Sequence, residues 1–487
     1  DVKAAVCENE TSTQGKEFWI AFIQNHDEEL IIPHGLDLII STNKTTDIRI
    51  ENNVLYDNKS EDGLYHWNIT MEANSTNVIT VPCQLFNPTE YGEAIDRTLH
   101  IKSTEPISVY MDNRQIKSDD ATLALPISSC GTYYIIQTAE GVIDSNYDTF
   151  KPSVFSVIAT ENNTTIQITP TTKTNDGHAA NIPYTITLHK GQLYQVQSVA
   201  TEIGSGFSGT QILSTSGKKI AVYVGNRMAN IPYSNVAGNS NILFEASFPV
   251  SKWGKDFIIQ PFKTGVIDMV KVTASKNDTK IYKNGNLLTT INAYESYEFF
   301  AEEAKGAFKL ETSQPVSVYQ YMTGNNYVYR RANGGPSLLY VNPVEQSINK
   351  ISLSTPNNKD ITNNFINLVI KTKDASKIKL DGHTSFAKFT PIDDTYSAGY
   401  AIITNGEHTL ESPSGFIANV YGMGEDVSYA YCAGSNTYDI NTKANTEKTI
   451  CHGDSVVFGG KKFFESGLHI DTLKNIKGCD SLTFLTL

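Results

Sequence analysis

Ten histidines and six cysteines are scattered along the 487-residue chain, and their spacing decides which metal or nucleophile chemistry is open to it. No Cys-x-x-Cys pair, His-Glu-x-x-His stretch, P-loop or dinucleotide fingerprint occurs. His452 beside Cys451 is one adjacent pair, where a structural zinc site takes four ligands. The stretch GSGFSG, residues 204–209, comes near Gly-x-Ser-x-Gly, with Thr210 in place of the last glycine, but a serine nucleophile needs a strand-to-helix elbow, and these flanks read as a loop. Asp119-Asp120 and Asp393-Asp394 have the chemistry of a calcium ligand pair or of two glycosidase carboxylates, but the alternating ligands and terminal Glu of an EF-hand loop are absent. Carboxylates on loops of an acidic protein are ordinarily solvated. The chain therefore reads as non-enzymatic and without a cofactor.

Recognition chemistry is better represented. The segment GNNYVYRRANGG, residues 324–335, places Tyr327, Tyr329, Arg330 and Arg331 in a Gly- and Asn-rich loop, a composition suited to a binding surface. Asn113-Arg114 and Asn226-Arg227 each follow a strand ending in Val-Tyr, so equivalent Asn-Arg tips are expected along one edge, as ligand contacts or as structural ion pairs. Trp19, Trp67 and Trp253 stand at strand positions, where aromatic rings mostly serve the core.

The elements that must position these residues show themselves by repetition. PISSCGTYYIIQ from Pro126 and PVSKWGKDFIIQ from Pro249 match at an offset of 123 residues, Gly15-Lys16-Glu17-Phe18 echoes Gly254-Lys255-Asp256-Phe257, and a weaker copy starts at Pro343 with Ile348 in place of the glycine. The glycine reads as a tight turn and the aromatic as an inward core residue. A hairpin pattern recurs in LDLIISTNKTTDIRI, FSVIATENNTTIQI, VKVTASKNDTKIYK and INLVIKTKDASKIKL, each alternating about a polar turn. Strands ending in Val-Tyr close on Tyr110, Tyr223, Tyr319 and Tyr421. With 25 Tyr, 21 Phe and no sustained helical period, the fold class is all-β: four tandem β-sandwich-like units of about 100 residues, with a closed propeller-like ring as the alternative. The boundaries read as a lead-in over 1–14, units over 15–118, 119–238, 239–334 and 335–434, a polar linker over 435–448 and a short C-terminal β module over 449–487.

A formal charge of -13 disfavours nucleic acid and anionic membranes as partners, and no apolar run is long enough for a membrane helix. The six cysteines, at 7, 83, 130, 432, 451 and 479, allow fifteen disulfide connectivities. Cys451 with Cys479 is the preferred pair because the two bound the C-terminal module. If the units curl until their ends meet, Cys7 reaches Cys432 and leaves Cys83 to Cys130.

The stretch TSTQGKEFWIAFIQN, the sentence PVSKWGKDFIIQ and the strand IAVYVGN together resemble the N-terminal domain of the IgG Fc-binding protein family over Gly15 to about Gly434. Members occur in an animal mucus protein and in bacterial secreted proteins. The tail, with Ser466-Gly467, Asp471-Thr472-Leu473, Asn475 and Gly478-Cys479-Asp480-Ser481, is similar to a short module of exported surface proteins of Gram-negative gut bacteria, and its abrupt end at Leu487 suggests a longer protein. In such a setting triplets like Asn43-Lys44-Thr45 are turn chemistry rather than glycosylation sites. The resemblance implies a secreted or cell-surface adhesion protein whose partner is a host or matrix glycoprotein, an immunoglobulin or a mucin.

Overall fold

The computed structural model describes residues 12–25, 35–55, 64–115, 117–144, 149–199, 205–232, 240–263, 267–324, 334–437, 442–449, 454–458, 461–464, 468–474 and 480–486. Among the described residues nearly all regular secondary structure is strand. Four sets of strands share one pairing pattern. In the first, the opening strand Gly15–Ile20 and the hairpin strand Thr46–Leu55 both pair with the first part of the long strand Leu99–Gln115, where Phe18 and Ile50 lie opposite Ile101. The inner strand Gly35–Thr42 and the closing strand Ser118–Leu123 pair with its second part, where Ile39 and Leu123 flank Tyr110. The third and fourth sets do the same about Phe308–Met322 and Glu407–Gly424.

One residue explains how a strand serves two layers. Pro106, Pro315 and Pro413 sit between the stretches of the three long strands that pair with different partners. A proline has no N–H to give to a ladder, so it is tolerated where the strand changes partners. The second set has no proline there; its long strand is split into Gln211–Ser214 and Ile220–Ala229, which belong to a four-stranded and a five-stranded sheet. The apolar side chains of the sets merge into two large clusters, one mostly from the first and second sets and the other mostly from the third and fourth.

The sets close on themselves. Ser12 bridges Asn436, and the Thr13 N–H donates to the Ser435 carbonyl at 2.9 Å. Thr437 meets Ser129 Oγ at 2.6 Å and accepts from Lys252 Nζ at 2.7 Å, so the end of the fourth set touches the start of the first three. At the centre the four closing strands, Ser118–Leu123, Asn241–Ala246, Ser337–Tyr340 and Ser428–Cys432, lie against one another. The first, third and fourth sets are each one seven-stranded sheet and the second is a five-stranded with a four-stranded sheet, so the all-β expectation holds in the form of several sheets whose first and last segments meet.

Each closing strand pairs with its own set on one side; on the other, two carboxylates take several of the N–H groups, while Asn241 Oδ1 accepts from Asp119 and Ser118 Oγ from Ile242. Asp120 accepts from the N–H groups of Ala121 (3.1 Å), Phe244 (3.0 Å), Leu338 (3.1 Å) and Ala430 (3.2 Å) and from Ser337 Oγ (2.6 Å), one backbone donor from every set. Glu245 accepts from Thr122 Oγ1, from the Ala246 N–H at 3.0 Å and from the Tyr340 N–H at 2.9 Å. Asp119 and Asp120 are therefore not solvated: both are fully buried in a strand.

Burial lifts the Glu245 carboxyl to about 8 against the pull of its three donors. An unfolded glutamate titrates near about 4.3, so between that pH and about 8 the folded chain holds the extra proton. The contribution of this group to stability is then full below the unfolded value and declines as the pH rises to about 8. Urea midpoints of the natural chain and of Glu245→Gln, compared from pH 5 to 8.5, should differ by a slope of this sign; parallel pH profiles would refute it.

The repeated glycine has a different role from the expected turn. A β-carbon on Gly15 would overlap Pro126, one on Gly131 would overlap Pro249, and one on Gly254 would overlap Pro343. Each glycine is the place where the first proline of the following set packs, and Gly15 and Gly254 lie within strands. Ile348 takes the fourth such position, and there Gly434 and Ser435 return the chain to Thr13.

The cysteine pairing also differs. Cys83, Cys130 and Cys432 are buried free thiols, so neither a Cys83–Cys130 nor a Cys7–Cys432 bridge is formed. Cys130 Sγ points to the Leu125 carbonyl at 3.8 Å, Cys83 opens the one-turn helix Cys83–Phe86, and Cys432 belongs to the other large core cluster. Burial pushes the Cys130 thiol up to about 12 and also raises Cys83. The chain ends meet through backbone hydrogen bonds instead. Cys7, Cys451 and Cys479 lie outside the described residues. Thr442–Glu447, within the expected linker, is a strand that runs parallel to Asp480–Thr486, itself antiparallel to Leu468–Lys474.

Candidate functional site

The expected Asn-Arg tips are spent inside the protein. Asn113 is buried; its Nδ2 donates to the Ile23 carbonyl at 2.9 Å and its Oδ1 accepts from Asn25 at 3.2 Å. Arg114 donates to the Asn357 carbonyl at 2.6 Å and pairs with Asp37 at 3.1 Å, which ties the first set to the fourth. Asn226 brackets Ala139, accepting from its N–H at 3.1 Å and donating to its carbonyl at 3.3 Å. Arg227 is buried and donates to the Asn25 carbonyl at 3.4 Å, tying the second set to the first. Arg114 and Arg227 thus tie neighbouring sets together, while Asn113 and Asn226 brace the segment after the opening strand of their own set. Tyr327, Tyr329, Arg330 and Arg331 lie outside the described residues.

The other candidates are equally placed by structure. Ser208 Oγ donates to the Thr138 carbonyl at 2.9 Å within its loop. Asp393 closes a turn by accepting from the N–H groups of Thr395 and Tyr396 at 2.8 and 2.7 Å. Trp253 is buried, and Trp19 stacks on His100 with ring centroids 4.1 Å apart. Among the described residues no three His, Cys, Asp or Glu side chains gather to hold a metal ion, and no helix is long and apolar enough to cross a membrane.

A groove that no motif announced opens between the third and fourth sets. It has a volume of about 1110 Å³, and its lining includes the small or apolar residues Pro261, Ala307, Ala398 and Gly399. One wall comes from the segment after the opening strand Gly254–Ile259 and from the 3-10 turn Glu303–Lys305, the other from the strands Lys388–Pro391 and Tyr396–Ile403. Alternation in the last strand buries Ala401 and Ile403 and turns Tyr400, 37% exposed, and Ile402, 72% exposed, into the groove.

The groove is charged in pairs. Lys263 binds Glu303 and stands 5.2 Å above the Tyr400 ring. Lys309 lies 2.8 Å from Glu311 and 3.9 Å from Asp393. The hydrogen bonds that the Lys263 and Lys309 amines donate to Glu303 and Glu311 hold them above the ordinary lysine range, so both stay charged at any physiological pH. Lys305 and Lys388 also line the site, so four lysines face three carboxylates in a protein whose formal charge is -13. Every lining carboxylate lies against a lysine amine, an arrangement suited to polar recognition and unlike a carboxyl pair poised to exchange protons with a substrate.

Comparison with known proteins adds one finding. A family model described as IgGFc binding protein matches residues 120–422, more than half of the chain and the whole lining of the groove. No curated protein matches the sequence.

Proposed function

Because the chain belongs to the IgGFc binding protein family, we propose that it is a non-catalytic, exported binding protein that adheres to a host or matrix glycoprotein. On this reading the Fc part of an antibody, or a mucin-like chain, sits in the groove between the third and fourth strand sets. Display on or release from a bacterial cell follows from the likeness of the C-terminal tail to exported surface modules.

The family match over residues 120–422 carries the proposal. The groove supports it: small apolar lining residues, a solvent-facing Ile402 and Tyr400, and lysines that are fixed by carboxylates but keep donors for a partner's carbonyls, sulfates or carboxylates. The excess of lysine over carboxylate in the lining, set against an acidic whole, favours an acidic glycoprotein surface.

The test is retention of the full chain on immobilised Fc fragment and on immobilised mucin. Ile402→Asp and Tyr400→Ala are each expected to weaken the retained interaction about tenfold, roughly 1.4 kcal/mol, as for central interface side chains. Failure to bind either surface would end the glycoprotein reading. Binding unchanged by both substitutions would move the site elsewhere.

A further inference from the structure

A second cavity, of about 390 Å³, lies one joint earlier, between the second and third strand sets. Glu140 and Ser208 line one side; Lys271, Tyr294, Tyr297 and Glu298 line the other. We propose that this pocket receives the guanidinium group of an arginine presented by a polypeptide partner. The inference is independent of the groove and of the identity of the glycoprotein.

The first observation is a charged pair where the other sets have none. Lys271 lies opposite Tyr319 and beside Glu298; the corresponding pairs are Ile39 with Val78, Ser156 with Gln195 and Phe365 with Ile402. The Lys271 side chain is 5% exposed, with its amine 2.8 Å from Glu298 and donating to the Thr138 carbonyl at 3.1 Å. Burying an ion costs free energy that an uncharged pair at the same place avoids. Lys271 and Glu298 neutralise each other, and Glu140 has no ion pair among the described residues. Burial raises its carboxyl above the usual glutamate range, Lys271 opposes this, and Glu298 adds to it. The pocket therefore carries one uncompensated carboxylate.

The second observation is a strained turn. Tyr294 has φ 71°, a left-handed backbone. The equivalent residues, each just before the strand that follows the turn, are Asn74 with φ 57° and Gly191 with φ 83°, the two residue types that tolerate it. A β-branched or aromatic residue in that conformation is an outlier and marks a place where side-chain identity matters more than backbone ease. Tyr294 is 42% exposed and lines the cavity together with Tyr297.

The third observation is the next joint round the ring. Lys263 stands nine residues after Gly254, as Glu140 does after Gly131. There the lysine amine lies over the Tyr400 ring and against Glu303. The joint between the second and third sets offers tyrosine rings and a carboxylate, with an acid in the lysine's place. A planar guanidinium satisfies both, pairing with Glu140 and stacking on tyrosine.

Titration of the full chain with acetyl-Gly-Arg-Gly-amide, read by calorimetry, is expected to show binding that the uncharged citrulline analogue lacks. Glu140→Gln should weaken the arginine peptide at least tenfold. Tyr294→Asn, which keeps a residue type suited to the turn, should weaken it at least threefold with no loss of thermal midpoint. Equal binding of the arginine and citrulline peptides, no binding of the arginine peptide at millimolar concentration, or unaltered affinity in Glu140→Gln would each overturn the proposal.

Discussion

Asp120→Asn is expected to cost the folded chain about 3–5 kcal/mol, the range for leaving buried donors facing the wrong group. The reason lies in the count of donors. The Asp120 carboxylate accepts four backbone N–H groups and one hydroxyl, and these come from the closing strands of all four sets. An amide of the same shape has one acceptor oxygen. Whichever way it turns, its NH2 faces either the N–H groups of Phe244 and Leu338 or those of Ala121 and Ala430. Burial pushes the Asp120 carboxyl well up, while its hydrogen-bond donors favour the ionised form. The substitution should lower the urea midpoint and, more tellingly, speed hydrogen exchange together at Ala121, Phe244, Leu338 and Ala430. Faster exchange at Ala121 alone would mean that Asp120 stabilises only its own strand and does not tie the four together.

Why so much of the outer fold is legible in the sequence, and so little of the centre, follows from what each residue touches. The hairpins alternate because each strand has one wet face, as in Thr164–Thr169, so a period of two survives in the sequence. Tyr110, Tyr223, Tyr319 and Tyr421 recur because each occupies the same buried position on a long strand or its counterpart. Asp120 breaks the rule that reads carboxylates as solvent-exposed: its partners lie up to 310 residues away and are backbone groups, which leave no mark on composition. The groove is hidden for the same reason. Lys263 and Tyr400 sit in different strand sets and in no shared motif, and only closure of the joint brings them within 5.2 Å. The even number of cysteines suggested bridges, but pairing is a matter of distance, and Cys83, Cys130 and Cys432 are buried as free thiols. The Asn-Arg pairs are legible as a repeated feature but not as braces of the opening segment, because the sequence shows that Asn113 and Asn226 are equivalent without showing that they face Ile23 and Ala139.

Gly254→Ala is expected to destabilise the chain by about 1–3 kcal/mol, the ordinary range for forcing a group into a packed site. The added methyl group would overlap the Pro343 ring, the contact through which the third set meets the fourth. Glycine is required here by that close approach and not by a turn, since the residue opens the strand Gly254–Ile259 and pairs with Val316 across a bulge. The two explanations separate in a double-mutant cycle. If the proline is what excludes a side chain, Gly254→Ala should cost less in a Pro343→Ala background, with a coupling of about 1–2 kcal/mol between the two sites. If the costs simply add, backbone conformation is the cause and the recurrent glycine owes nothing to the next set. The same joint carries the groove: Lys263 follows this strand, and Tyr400 belongs to the set that Pro343 introduces. A shifted Pro343 should therefore move Tyr400 against Lys263. Gly254→Ala should then weaken retention on the proposed glycoprotein more than Gly15→Ala, which presses on Pro126 at the joint between the first and second sets.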